Sequence, residues 1–339
     1  MNAQTRFLTV GTSAIAEQFL RGAHGDPRFA HTAVYSRRKD TARAFLSRTA
    51  EASGPENEPP RIFTDLDEAA RSDAFDAAYI ASPNSLHFEQ TMLLLSHGKH
   101  VLCEKPFASD SRQVRAMCAL AREKGLTLME AVKTTHTPTF AAIRAALPQI
   151  GPVRRYFASY CQYSSRYDRF KAGGSAPVFS AKFSGGSLVD IGIYGLYPLV
   201  VWFGPPEKVE ANALKLRSGV DGQGSVTCRY PDMEAVVIHS KITDSSLPSE
   251  IQGEAGRIVI DRINAIDRAR IEFRDGTTQD LSAPHEQHDM VYELSAFIDT
   301  VEAGRTEHPI NSFENSLTVM EIMDQARRQN GIVYPTDEF

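Results

Sequence analysis

Short apolar runs alternate with longer amphipathic stretches through the first 150 residues. Phe7 to Val10 is an apolar run closed by Gly11, and Ile15, Phe19 and Leu20 then recur at helical spacing. Ala33-Val34-Tyr35 reads as a second strand and Thr41 to Ser47 as a helix. Gly54 to Pro60 (GPENEPP) is polar and proline-rich, the composition of a surface loop. Arg61-Ile62-Phe63 predicts a third strand, and Ala77 to Ala81 a fourth, more buried one. A helix over Phe88 to Leu95, a strand at His100 to Cys103, a helix over Arg112 to Glu123 stopped at Gly125, and a sixth strand at Thr127 to Met129 complete the series. Strands separated by helices of roughly ten to fifteen residues spell βαβ units around a parallel sheet.

The rhythm changes after Gly151-Pro152. Val153 to Tyr163 (VRRYFASYCQY) alternates polar and apolar residues, as a half-solvated antiparallel strand does. Similar runs lie at Lys208 to Leu216, Glu234 to Lys241, Arg257 to Ile260 and Arg268 to Phe273, the last followed by the hairpin-like Arg274-Asp275-Gly276. One helix is expected near Leu188 to Phe203 and two more near Met290 to Glu302 and Phe313 to Arg328. The second half is therefore α+β on a mostly antiparallel sheet. This places a boundary near Gly151, with domains at 1–150 and 151–339. The C-terminal helix is expected to pack back on the first.

Composition adds limits. The 339 residues, at roughly 150 per domain, allow about two domains. With 42% apolar and 23% charged residues the chain is an ordinary globular one. A net charge of −5 argues against a surface built for nucleic acid or anionic lipid. Cys103, Cys118, Cys161 and Cys228 form no C-x-x-C pair and no zinc-ligand spacing, a usage typical of reducing compartments. MNAQTRFLTV lacks a basic segment leading into a long apolar run, and the uncharged stretch Ile191 to Pro206 is too short to span a bilayer. A cytoplasmic protein without a membrane partner is expected.

The first strand runs into Gly11-Thr12-Ser13-Ala14-Ile15-Ala16, a degenerate G-x-G-x-x-G. A dinucleotide site needs a tight turn, close backbone approach to a pyrophosphate, and helix amides facing the anion. A purely structural strand-to-helix turn is the alternative. The second strand ends in Tyr35-Ser36-Arg37-Arg38, where an NAD site would carry an acid for the ribose hydroxyls; none stands there before Asp40. Ser36 and the guanidiniums of Arg37 and Arg38 suit a 2′-phosphate, so NADP(H) is favoured over NAD(H). A solvated basic turn is the competing reading.

Ligands on an open parallel sheet bind beyond the carboxyl ends of its strands. There the fourth strand gives Ser82-Pro83-Asn84 and the fifth gives Glu104-Lys105-Pro106. In the second half, Ser184-Gly185-Gly186-Ser187 opens a helix with Asp190 and Tyr194 at i, i+4, which places both on one helical face. The alternative reading of Lys105 is a salt bridge to a neighbouring acid, and that of Tyr194 a core tyrosine with a satisfied hydroxyl.

Together these residues resemble the glucose-fructose oxidoreductase/inositol dehydrogenase family (Gfo/Idh/MocA). The match runs through the GxSxxA turn, SRR, ASPNxxH, EKP, the Glu130-Ala131 pair and GGSLVDIGIYG, and it looks closest to the dihydrodiol dehydrogenase-like branch. The resemblance implies an N-terminal Rossmann domain that binds NAD(P). It also implies a C-terminal domain whose open-faced sheet binds substrate and joins copies into a homodimer or homotetramer. The implied activity is hydride transfer between NAD(P) and a sugar, polyol or trans-diol. Lys105 would hydrogen-bond the reacting oxygen, Tyr194 would relay the proton, and Asp190 would orient the phenol or the substrate. Cofactor contacts would come from Gly11, Thr12, Ser13, Ala14, Ile15, Ser36, Arg37, Arg38, Ser82, Asn84, His87, Glu104, Lys105 and Glu130. Of these, His87 also anchors the helix that follows it. The family's E-A-x-x-x-R continues here as Glu130-Ala131-Val132-Lys133-Thr134-Thr135, so Thr135 replaces the arginine. Arg166 and Tyr167, within a polar and aromatic stretch, join Lys105, Asp190 and Tyr194 as substrate candidates, with Lys182 and Phe183 nearby. An exposed strand end or an oligomer contact explains that stretch equally well.

Other chemistries fit less well. His285-Glu286-Gln287-His288 spaces its histidines at i, i+3, not the i, i+4 of a zinc helix, and reads as a loop; no metal site is expected. No G-x-S-x-G elbow or Walker A loop occurs. Two alternatives to a dehydrogenase share the fold: a non-catalytic NADP-binding regulator, and a nicotinamide-dependent glycosidase. The presence of Lys105, Asp190 and Tyr194 together argues against the regulator.

Overall fold

The computed structural model describes residues 4–50 and 59–337, so the Gly54–Pro60 loop lies mostly outside the described residues. The chain forms two compact units, one of Met1–Ala108, Arg112–Lys133 and Glu286–Phe313, the other of Ser109–Ser111, Thr134–His285 and Glu314–Phe339. It therefore leaves the first unit at Lys133 and re-enters it at Glu286, where the sequence suggested one boundary near Gly151. Gly151, at φ 70°, ends a helical turn inside the second unit.

The first unit carries β1 (Thr5–Val10), α1 (Ala14–Ala23), β2 (Phe29–Tyr35), α2 (Lys39–Thr49), β3 (Arg61–Phe63), α3 (Leu66–Arg71), β4 (Ala77–Ile80), α4 (His87–Ser96), β5 (His100–Glu104), α5 (Ser111–Lys124) and β6 (Leu128–Ala131). The strands are all parallel, in the order β3-β2-β1-β4-β5-β6. The order reverses between β1 and β4, and a crevice opens there at the strands' carboxyl ends. The short α3 escaped the hydrophobic pattern; Asp65 starts it by accepting the amides of Asp67 and Glu68 at 2.8 and 3.1 Å. The core groups Phe7, Phe19, Phe29 and Tyr79 with Leu294, Phe297 and Ile298 of α9 (Met290–Glu302). Each such side chain contributes about 1.5–3 kcal/mol when buried. Gly22 lets helix α9 lie close on α1: a Cβ there would stand 3.1 Å from the Val291 amide nitrogen. Arg28 ties the same helix down through Asp299 and Glu302 at 2.6 and 2.9 Å.

The second unit contains α6 (Pro138–Ala146), β7 (Val153–Cys161), α7 (Tyr167–Lys171), a π-turn at Leu188–Gly192 running into α8 (Ile193–Phe203), β8 (Lys208–Lys215), β9 (Asp221–Arg229), β10 (Glu234–Ser240), β11 (Ser249–Gly253), β12 (Gly256–Ile260), β13 (Ala269–Phe273), β14 (Thr278–Asp280) and α10 (Phe313–Gln329). The last helix thus belongs almost wholly to this unit, and α9 is the one that returns to the first. The sheet order is β14-β13-β12-β11-β7-β10-β9-β8. It is antiparallel except at its centre, where β7, read from sequence as an antiparallel strand, runs parallel to β10 with Phe157 opposite Val236. Alternation reports that one face is buried but carries no record of a neighbour's direction. Helix α8 packs on β7 and β10 through Gly195, where a Cβ would stand 2.7 Å from Val237 Cγ1. The helical stretch Ala181–Phe203 is apolar and long enough to cross a bilayer, yet 72% of its apolar window is buried within the protein, as in a core helix. The edge strand β8 is closed by amide side chains: Gln329 and Asn330 accept the N–H groups of Ala211 and Ala213 and donate to the carbonyls of Val209 and Ala211.

Candidate active site

The crevice between β1 and β4 is a cavity of about 710 Å³ lined by Gly11, Thr12 and Ser13, by Ser36, Arg37 and Arg38, and by Ser82 and Pro83. Gly11 has φ +103°, and a Cβ there would lie 2.9 Å from the Ala81 carbonyl oxygen, so only glycine fits the turn. The Ser13 hydroxyl donates to that same carbonyl at 3.3 Å. Ser13 caps α1 without a side-chain bond to its amides, so the helix N-terminus keeps its donors for a ligand. Ala14 begins that helix and is exposed, while Ile15 packs its side chain on the core. Arg37 and Arg38 are exposed, and neither guanidinium has an ion-pair partner among the described residues. A glycine turn, uncapped helix amides and two available guanidiniums fit a dinucleotide that carries an additional phosphate. Sequence reasoning missed Thr41, Leu66, Leu86, Glu89, Gln90 and Leu93, which also line the cavity. Gln90 accepts the Ser82 hydroxyl at 2.7 Å. Asn84 opens the short helical turn before α4.

Lys105 follows β5 and is half-buried. The groups around its strand end form a buried polar framework. His87 is fully buried with Nδ1 2.9 Å from the Pro106 carbonyl and Nε2 3.0 Å from the Ser82 carbonyl, so its ring ties the ends of β4 and β5 together. Burial lowers its proton affinity, and a neutral ring donates to one carbonyl at a time. Glu104 accepts the Tyr79 hydroxyl at 2.5 Å and the Lys105 amide at 3.2 Å. Burial raises its pKa, against the pull of the Lys105 charge. Glu130 braces the following loop by accepting the Phe107 amide at 2.8 Å. Lys133, at the place where the family pattern continues toward arginine, pairs with Asp289 at 2.5 Å. Tyr79, stacked on Phe19 with ring centroids 3.6 Å apart, and the buried Glu293 of α9 belong to this framework and carry no sequence motif.

In the second unit the GGSLVDIGIYG segment is built around Asp221. The Leu188 amide donates to Asp221 Oδ2 at 2.6 Å, and Ser187 Oγ stands 2.5 Å from His239 Nδ1. Burial raises the pKa of Asp221 to about 6 and lowers that of His239 to about 3. A Cβ at Gly186 would fall 2.2 Å from Asp221 Oδ1, and one at Gly192 would meet the His239 ring at 3.2 Å. These glycines therefore admit side chains of the sheet. Asp190 lies within the π-turn, through which the i, i+4 face of a regular α-helix does not continue. Its carboxylate pairs with Lys241, a residue no motif marked. The Tyr194 ring meets Tyr160 edge-on at 5.7 Å.

Arg166 is exposed and precedes α7. Tyr167 packs with Phe170 and Phe179 in a satellite cluster, and Lys171 lies 5.1 Å from its ring. Lys182 is exposed over the Phe183 ring at 5.9 Å. His285 to His288 lie in the loop before α9, and no group of three or more potential metal ligands occurs among the described residues.

The profile of the GFO/IDH/MocA oxidoreductase family, with an NAD-binding Rossmann fold, matches residues 5–132, and that of the family's C-terminal domain matches residues 142–259. The chain belongs to the GFO/IDH/MocA family. It is an oxidoreductase that works with a nicotinamide dinucleotide. Within the family it is 48% identical to scyllo-inositol 2-dehydrogenase (NADP(+)) of Bacillus subtilis over 98% of this chain and 99% of that one. It is 27% identical to trans-1,2-dihydrobenzene-1,2-diol dehydrogenase of Sus scrofa, again over 98% and 99%. Among solved structures, a 3-ketoreductase from Actinomadura kijaniata in complex with NADP and TDP-benzene superposes with a TM-score of 0.81 at 25% identity, covering 96% of this chain and 98% of that one.

Proposed function

We propose that the protein is an NADP(H)-dependent dehydrogenase that interconverts a secondary alcohol and a ketone on a polyol, with a cyclic polyol of the inositol type as substrate. The observation that carries the cofactor preference is the Ser36-Arg37-Arg38 wall of the crevice, which has guanidiniums where a ribose-binding acid would stand. The 48% identity to an NADP(+)-dependent scyllo-inositol 2-dehydrogenase supports the substrate class, and the diol dehydrogenases support it more broadly.

Gly11, the amides opening α1, Ser36, Arg37, Arg38 and Ser82 would hold the dinucleotide, which supplies a hydride acceptor or donor when bound. Lys105 donates a hydrogen bond to the reacting oxygen and steadies the negative charge that develops there. The Tyr194 phenol carries the proton, and Asp190 orients it. The first domain serves the cofactor. The second serves substrate and, through the open face of its sheet, association into a homodimer or homotetramer in the cytoplasm.

The test is turnover of scyllo-inositol with NADP+ and with NAD+, alongside K105M. Turnover with NADP+, abolished in K105M with NADPH binding retained, is the expected result. Undiminished turnover in K105M ends the assignment of Lys105, and tighter binding of NADH than NADPH ends that of Arg37 and Arg38.

A further inference from the structure

We propose that Lys241 is a positioning residue for the reaction: its ammonium holds the Asp190 carboxyl ionised and fixed, so that proton transfer is left to Tyr194. The proposal rests on the reading above, in which Asp190 and Tyr194 serve the chemistry.

Lys241 directly follows β10, the strand against which the π-turn packs most extensively. Its backbone is pinned on both sides: its N–H donates to the Gly222 carbonyl at 2.8 Å, and its carbonyl accepts the Ser164 amide at 2.9 Å. The side chain is only 12% exposed, and its ammonium pairs with Asp190 Oδ2. An ammonium so enclosed requires a counter-charge, and Asp190 supplies it.

The other titratable groups facing the π-turn do not take that place. His239 of β10 lies against Gly192 and is neutral, its proton affinity lowered by burial. Asp221 of β9 is engaged by the Leu188 amide. Tyr160 of β7 meets the Tyr194 ring. Lys241 is a cation paired directly with the Asp190 carboxylate. A carboxyl beside a cation titrates about one to three pH units lower than without it. An aspartate held in that state accepts hydrogen bonds and does not give up a proton. It therefore orients the groups around it, and Tyr194 is the residue left to exchange a proton with the reacting oxygen.

The experiment uses the full-length protein and follows kcat/KM for reduction of the 2-keto derivative of scyllo-inositol by NADPH from pH 4.5 to 9. In K241M the acid limb should move upward by about one to three pH units, with a loss that grows toward the acid end of the range and is small at pH 8. K241R should restore the limb, and NADPH binding by fluorescence should be the same in both variants. In a D190N background, K241M should add less than about twofold, because its effect runs through Asp190. If K241M does not fold, K241Q carries the same test, since it keeps a hydrogen-bond donor without the charge. A K241M loss of equal size at every pH, no loss, or a full further loss on D190N overturns the role of Lys241. Wild-type turnover in D190N overturns the assignment of Asp190 itself, and the proposal with it.

Discussion

Replacing Glu293 by glutamine should alter how stability responds to pH more than stability at any single pH. The carboxyl sits on α9 at 1% exposure, with neither oxygen hydrogen-bonded. Burial, then the nearby Glu104 charge, pushes its pKa well above the ordinary 4.5, and Lys133 opposes them. Above the ordinary carboxylate range the folded protein therefore keeps a proton that the unfolded chain has released. The folded state binds more protons, so stability falls as pH rises until the folded group itself titrates. One proton corresponds to about 1.4 kcal/mol per pH unit, or roughly 3–5 °C in Tm for a unit of this size. The glutamine has no proton to keep. The Tm difference between E293Q and the wild type should widen by that amount per unit between pH 5 and pH 7, measured by scanning calorimetry. Any fixed cost of packing the amide cancels in the slope. A difference that stays flat across this range would refute the reasoning.

Three further outcomes follow from the geometry. Replacing Arg37 and Arg38 together by alanine should weaken NADPH binding by about tenfold to a hundredfold, at roughly 1.5–3 kcal/mol for a charge-assisted phosphate contact, and leave NADH binding within about twofold in fluorescence titrations. G186A puts a Cβ 2.2 Å from Asp221 Oδ1 at a backbone φ of +136°, and should lower Tm by at least about 5 °C. Y334F removes the hydroxyl that donates to the buried Gly185 carbonyl at 2.8 Å, which should cost about 1–2 kcal/mol and be visible as a Tm loss of a few degrees.

The parallel sheet of the first unit was legible because its short apolar strands are set off by punctuation: Gly11 closes the first strand, and Gly125, at φ 64°, stops the helix before the sixth. The glycine turn at Gly11 was legible for the same reason: a backbone constraint leaves its mark on residue type. Strands β9, β11 and β14 were not. Asp221 to Arg229 interleaves glycines with polar residues, and its place in the sheet comes from pairing with β8 and β10. The site divides along the same line. Lys105 lies in a fixed local motif, whereas Lys241 gains its meaning from a carboxylate 51 residues away. The Ser13 hydroxyl likewise finds its acceptor, the Ala81 carbonyl, 68 residues away.

The return of α9 to the first unit has a consequence for the nascent chain. Phe7, Phe19 and Phe29 emerge from the ribosome early, but Leu294, Phe297 and Ile298, which complete their core, come nearly 300 residues later. At about 5–20 residues per second, the gap lasts on the order of 15–60 s. Throughout that time the amino-terminal sheet exposes an aromatic face to whatever else is in the cell. Domains usually fold as they are made; here the amino-terminal one must wait for synthesis of the other. A helix made only after most of the second unit seals the first.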